Sequence, residues 1–238
     1  MNILILGSAG AGKTLLTGMF GSYLKEEGYK IRLVNLDPGV VMLPYKPDFD
    51  IRKYFTLEQI MNEKGLGPNG AIVEAMEMLS KTEIPRYEAD FILIDTPGQL
   101  EVFAFRNSGP KIAGQLREKF GLFLIDATSP IGSLLGLLLY SMTISYTLGL
   151  DKLVNVLNKI DLLDEGKKEV IHTTILERMP MHEDRGGILA ELGEEIGQLL
   201  NRFTYTHRTP MVSAMSREGF DELLSVIYEV QCACGDID

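Results

Sequence analysis

The chain has 238 residues, of which 45% are hydrophobic and 24% charged, an ordinary composition for one globular domain that buries a sizeable core. Its formal net charge of −10 argues against direct binding to nucleic acid or to an anionic membrane surface. The two cysteines, Cys232 and Cys234, are separated by one residue, so no disulfide framework is expected and a reducing, cytoplasmic setting fits.

Asn2–Leu6 reads as a buried strand, with no room before it for a signal peptide. Gly7-Ser8-Ala9-Gly10-Ala11-Gly12-Lys13-Thr14 follows and fits G-x-x-x-x-G-K-[ST]. A helix then runs over Thr14–Glu27 and stops at Gly28. In this strand–loop–helix setting the backbone N–H groups of Gly10, Ala11 and Gly12 cradle phosphates, and the helix N-terminus adds partial positive charge. Lys13 is expected on the β and γ phosphates, and the Thr14 hydroxyl on Mg²⁺.

Further strands are expected at Ile31–Asn35, Phe91–Asp95, Gly121–Asp126, Val154–Asn158 and Pro210–Ser213. The remaining helical patterns cover Ala71–Ser80, Ile131–Leu148, Gly187–Phe203 and Glu218–Gln231. This alternation predicts a three-layer α/β fold of the P-loop NTPase kind, a mostly parallel sheet flanked by helices. One domain over residues 1–238 is expected, with a charged helical insertion at about 162–208. Gly67-Pro68-Asn69-Gly70, taken alone, reads as a turn.

Asp95-Thr96-Pro97-Gly98 ends a buried strand. An aspartate there can hold Mg²⁺ through water, and Gly98 can offer its N–H to a γ-phosphate without a side chain in the way. Residues 127–150 contain no Asp, Glu, Lys or Arg. Their length permits a membrane span, but Gly, Pro, Ser and Thr interrupt them and nucleotide-site motifs lie on both sides, so no membrane is expected. A helix over Ile131–Leu148 is then either core or a groove for a client segment. Asn158-Lys159-Ile160-Asp161 resembles the guanine-recognition motif of GTPases. Asp161 would accept from the N1–H and exocyclic amine, donors that adenine does not pair in this way. Lys159 would pack over the base and Asn158 would tie the loop. Ser213-Ala214 after the last strand resembles the backbone turn that contacts the guanine oxygen. His172, His182 and His207 show no metal-ligand spacing, and two cysteines are half a tetrahedral site.

Asp95 lies farther from Lys13 than in small Ras-like GTPases. Asn35-Leu36-Asp37-Pro38 resembles the class that contains signal-recognition and nickel-insertion enzymes. Partition-type ATPases carry an extra lysine early in the phosphate loop, where this chain has Ser8. With Gly67-Pro68-Asn69, Leu43-Pro44-Tyr45, Asp50-Ile51-Arg52 and Asp95-Thr96-Pro97-Gly98-Gln99-Leu100-Glu101, the chain resembles a GPN-loop GTPase of the archaeal single-paralogue type. The Cys232-Ala233-Cys234-Gly235-Asp236 ending is similar too. The resemblance implies GTP as substrate, GDP as product, and a homodimer in which Asn69 reaches the partner's phosphate region. It implies that Asp37, Gln99 and Glu101 position or polarise the attacking water. Arg52 is a candidate for charge compensation, or else a structural ion pair. The client implied is a protein, with RNA polymerase or an assembly factor as the instance the family suggests. A non-catalytic, nucleotide-stabilised interaction module and a metallochaperone GTPase are the alternatives.

Overall fold

The computed structural model describes residues 1–177, 187–203 and 208–232. Seven strands form one sheet: β1 (Asn2–Gly7), β2 (Ile31–Asn35), β3 (Phe49–Asp50), β4 (Phe91–Asp95), β5 (Lys119–Asp126), β6 (Lys152–Asn158) and β7 (Met211–Val212). Their order is β3-β2-β4-β1-β5-β6-β7, and every pairing is parallel. A parallel sheet covered on both faces requires strands that are apolar throughout, and β4, which reads Phe-Ile-Leu-Ile-Asp, is buried from end to end. The buried polar residues of the strands stand at the carboxyl ends, apart from Asn155 within β6. Register sets Asn35 opposite both Asp50 and Asp95, and Asp126 opposite Asn158.

Alternation within β1 divides the core. Ile3 and Ile5 pack with α1 (Lys13–Glu26) and α9 (Phe220–Cys232) on one face of the sheet. Leu4 and Leu6 belong to the opposite cluster, built on α2 (Leu57–Lys64), α3 (Pro68–Leu79), α4 (Leu100–Phe105), α5 (Ser108–Gln115) and α6 (Leu134–Leu148). On the first face Phe20 is fully buried and meets Phe220 edge-on, with ring centroids 5.2 Å apart.

The segment 67–70 departs from the turn its residues suggest in isolation. Gly67 is the extended N-cap of α3, and Pro68 sits in the first turn of a helix that begins three residues before Ala71. Proline has no N–H to lose there, and its fixed φ suits a helix start. Two further helices occupy the region expected to be a charged insertion, α7 (Glu165–Glu177) and α8 (Ile188–Phe203), and α8 packs on α6. His182, His207 and Cys234 lie outside the described residues, as does the side chain of His172; Cys232 is exposed.

The apolar stretch Ile131–Leu148 is a short 3-10 turn running into α6, long and apolar enough to cross a membrane by length and composition. In the fold it packs against β5, β6, α4 and α5. Its buried residues Leu134, Leu138, Ser141, Ile144 and Leu148 recur at helical spacing, and Tyr146 is 90% exposed. The helix is therefore one-sided, with a second apolar face only partly covered.

Replacing Phe20 with alanine empties the centre of the α1–α9 layer. The expected loss is about 3–5 kcal/mol of unfolding free energy, read from urea denaturation. A loss below about 1 kcal/mol would mean that this layer closes around the gap.

Candidate nucleotide site

Because the strands are parallel, the segments that leave β1 to β7 emerge along a single edge of the sheet. The chain reverses its direction of travel across the sheet at β1, which lies between β4 and β5. Ligands of open α/β sheets bind at that kind of switch point. The loop Gly7–Gly12 leaves β1 there and enters α1 at Lys13. Gly12 has φ 94°, and a Cβ on it would stand 2.4 Å from the Asn158 side-chain nitrogen, so both conformation and space call for glycine. Lys13 is buried, and its ammonium donates to the Gly7 carbonyl at 2.8 Å, the Ser8 carbonyl at 3.1 Å and the Gly98 carbonyl at 3.5 Å. It therefore stands between the phosphate loop and the Asp95–Gly98 turn. Burial lowers its pKa, while Asp95, Asp37 and Glu101 pull it back.

Asp95 is fully buried at the end of β4. Oδ2 accepts from the Tyr45 hydroxyl at 3.0 Å, and Oδ1 has no hydrogen-bond partner. Burial, reinforced by Asp37, pushes this carboxyl up to about 7, against the pull of the adjoining Thr14 hydroxyl, Tyr45 and Lys13. Burial also pushes the Tyr45 hydroxyl far up, which keeps it a donor. A buried carboxylate with an orphaned oxygen beside a hydroxyl is a donor set suited to a hard divalent cation, so Thr14 and Asp95 fit Mg²⁺.

Asp37 lies just beyond β2. Its Oδ2 accepts from the Gly98 N–H at 3.0 Å and its Oδ1 from the Gly39 N–H at 2.8 Å. The donor expected for a γ-phosphate is thus held by the protein's own carboxylate. Burial raises the Asp37 pKa, and the two backbone N–H groups oppose it. Gln99 is the N-cap residue of α4 and Glu101 lies in its first turn; both are exposed. Asn69 is exposed on the first turn of α3, and its side chain makes no hydrogen bond among the described residues. The structure brings Lys13, Thr14, Asp37, Asp95 and Gly98 together, and among the described residues no hydrogen bond joins Asn69 to them.

The base-recognition residues gather at the ends of β6 and β7. Asn158 is buried; its amide donates to the Ala11 carbonyl at 2.9 Å, and its Oδ1 accepts from the Ala214 N–H at 3.1 Å. That N–H, expected to face a guanine oxygen, is here engaged by Asn158. Ser213 is buried and its Oγ accepts from the Ser216 N–H. Lys159 adopts a left-handed conformation, φ 70°, and pairs with Asp126. Burial opposes ionisation of Asp126, but hydrogen bonds from Lys159 and Thr128 outweigh it and hold its pKa down. Asp161 is exposed in a short 3-10 turn.

Several partners in this site have no role assigned to them from sequence alone. Asp126 orients Lys159, and Tyr45 caps Asp95. Asn35 binds Asp37 at both backbone groups, through its amide to the carbonyl at 3.2 Å and through its Oδ1 from the N–H at 3.1 Å. Asn35 and Asp126 share one further signal, each being a polar residue that closes a longer apolar strand.

A family profile described as "Conserved hypothetical ATP binding protein" matches residues 5–233. The chain is 36% identical to GPN-loop GTPase PAB0955 of Pyrococcus abyssi, over the full length of both. The chain belongs to the GPN-loop GTPases. The crystal structure of the Pyrococcus protein in its apo form, described as a GTPase, superposes with a TM-score of 0.82 at 35% identity, covering 98% of each chain. GPN-loop GTPase 1 of Dictyostelium discoideum is 30% identical over 95% of this chain, which spans 60% of that relative's length. Membership brings with it a P-loop GTPase fold that binds GTP and GDP.

The raised Asp95 and Asp37 carboxyls set the sign of a pH dependence. Between the unfolded aspartate value near ~4 and the Asp95 value of about 7, the native state holds protons that the unfolded state has released. In nucleotide-free protein kept in EDTA, the melting temperature should therefore fall as pH rises from 5 to 7. The slope should be shallower in Asp95→Asn. An equal slope in both proteins would assign the dependence to other groups.

Proposed function

We propose that this GPN-loop GTPase is a GTP-hydrolysing switch that works as a nucleotide-dependent homodimer in the cytoplasm. Asn158 carries the reading. One buried carboxamide joins the Asn158–Asp161 turn to the phosphate loop and to Ala214, which makes the base motif and the phosphate motif parts of one pocket. That supports guanine as the base, although the matching profile's description names ATP.

Hydrolysis needs an oriented water and compensation of charge, with little covalent chemistry. Lys13 supplies a buried cation between the two phosphate-facing loops. Bound Mg²⁺, held by Thr14 and Asp95, would supply further positive charge against the β and γ phosphates. A nucleotide whose terminal oxygen takes the Gly98 N–H would free the Asp37 carboxylate to accept from water. Gln99 and Glu101 follow immediately and complete the set. The exposed Asn69, carried on the start of α3, is suited to act on a second copy's phosphate region. The client role that the family suggests is assembly of protein complexes such as RNA polymerase. The half-covered apolar face of α6 favours one alternative, a nucleotide-stabilised interaction module that hydrolyses negligibly; single-turnover hydrolysis by purified protein separates the two.

Wild-type protein should bind GTP at least about 100-fold more tightly than ATP, and Asp161→Asn should shift preference toward xanthine nucleotides by reversing one donor–acceptor match. Competition against a fluorescent GDP analogue measures both. Equal affinity for ATP and GTP would remove the guanine assignment.

Mixing Asn69→Ala with Lys13→Ala protein tests action between subunits. In a mixed dimer the Asn69→Ala chain keeps a working nucleotide site and receives Asn69 from the Lys13→Ala chain. Turnover should exceed that of either variant alone. No gain after verified subunit exchange would confine Asn69 to its own chain.

A further inference from the structure

Between Asn35 and Phe49 the chain has no helix and no strand, yet Asp37 must be held to the Gly98 turn. What fixes this segment is a closed ring of hydrogen bonds. Arg52 makes a bidentate contact with Asp50, Nε to Oδ1 at 3.0 Å and Nη2 to Oδ2 at 2.7 Å. Its Nη1 donates to the carbonyls of Val40 and Val41, each at 3.1 Å. Asp50 Oδ1 in turn accepts from the Asn35 amide at 2.9 Å, and Asn35 grips the backbone of Asp37 on both sides. A further tether, the Leu57 N–H to the Pro38 carbonyl at 3.1 Å, closes the turn from α2.

The charge balance is as telling as the geometry. The Arg52 guanidinium is matched by the Asp50 carboxylate, whose side chain is only 9% exposed, and all three of its nitrogens are spent on Asp50 and the two carbonyls. A cation so committed is a poor source of charge for phosphates. Its planar fork instead serves two directions at once, a carboxylate on one side and a pair of carbonyls on the other, which a lysine cannot do.

We infer that Arg52 is a positioning residue for hydrolysis, a brace that, with Asp50 and Asn35, holds the Asp37 carboxylate at the Gly98 turn. This deepens the reading of the site as hydrolytic and rests on it. Loss of the brace should leave phosphate and base contacts intact, because none of its members belongs to the Lys13 or Asn158 networks. It should slow the step in which water must be oriented.

Single-turnover GTP hydrolysis and GDP affinity are measured on the full chain for Arg52→Ala, Arg52→Lys, Asp50→Ala, Asp37→Ala and the double variant of Arg52→Ala with Asp37→Ala. Arg52→Ala should lose about 10- to 100-fold in rate with GDP affinity within about threefold of wild type. Arg52→Lys should recover only part, and Asp50→Ala should match Arg52→Ala. The double variant should be no slower than Asp37→Ala alone, since both act through one carboxylate. Millimolar guanidinium should restore rate to Arg52→Ala but not to Asp37→Ala; a cleft of about 390 Å³ beside Arg52, lined by Pro38, Thr56 and Leu57 among others, gives it entry. Multiplicative losses in the double variant, or a full-rate Asp50→Ala beside a slow Arg52→Ala, would overturn the brace in favour of direct charge compensation. Hydrogen exchange over residues 39–41 provides a readout independent of turnover and of complete removal of the side chain. Exchange there should be faster in Arg52→Lys than in wild type, and unchanged exchange would overturn the brace. A wild type that does not hydrolyse GTP would overturn the hydrolytic reading, and the exchange measurement would still decide whether Arg52 fixes the segment.

Discussion

Parallel pairing of β1 with both β4 and β5 is the constraint from which the site follows. Strands buried on both faces place polar groups chiefly where they end, and parallel strands end together. Asp95, Asn35, Asp50, Asp126 and Asn158 are each the last residue of a strand. The register brings them into two short rows, one beside the phosphate loop and one below the base-recognition turn. Had any of these strands run the other way, its terminal polar residue would lie at the opposite end of the sheet.

Within that row the acids outnumber the cations. Asp37 and Asp95 are both held neutral-leaning by burial, and Lys13 is held less basic by the same desolvation. For each of them burial outweighs the attraction between the acids and Lys13. Asp50 and Asp126 behave in the opposite sense, since Arg52 and Lys159 hold them ionised against burial. The two kinds of carboxylate differ in role. The paired ones, Asp50 and Asp126, fix other side chains in place, while the poorly compensated ones lie next to the phosphate loop.

Much of this was legible in the residues. The phosphate loop, the five longer apolar strands and the Asn158–Asp161 turn all carry patterns that survive without tertiary context. Two strands have only two residues: β7 lies inside the run Pro210–Ser213 that reads as a strand, whereas Phe49 and Asp50 of β3 stand between Asp48 and Ile51 with no apolar run to mark them. Helix α2 was readable in principle, since Thr56 and Gln59 form a reciprocal capping box and Gly65 closes it. Helices α4 and α5 are short, and Gly109 and Pro110 in the first turn of α5 mark an interruption rather than a helix. The Asn35–Asp50–Arg52 ring joins positions up to 17 residues apart through side-chain geometry, and no local pattern encodes which carboxylate an arginine will choose.

The start of α3 has a mechanical consequence. Gly67-Pro68-Asn69 is not a slack loop that must be ordered when something meets it. Pro68 is fixed in φ, the Gly67 carbonyl already receives the Ala71 N–H at 2.9 Å, and the helix behind is joined to α2 by the Lys64–Glu74 ion pair. Asn69 is therefore presented on a rigid stem, and any contact it made would cost little conformational entropy. The stem is anchored by the buried contacts of Ala71, Ala75, Met76 and Leu79, in the same core cluster as Leu100 and Phe103 of α4, so the tip cannot shift without disturbing that packing.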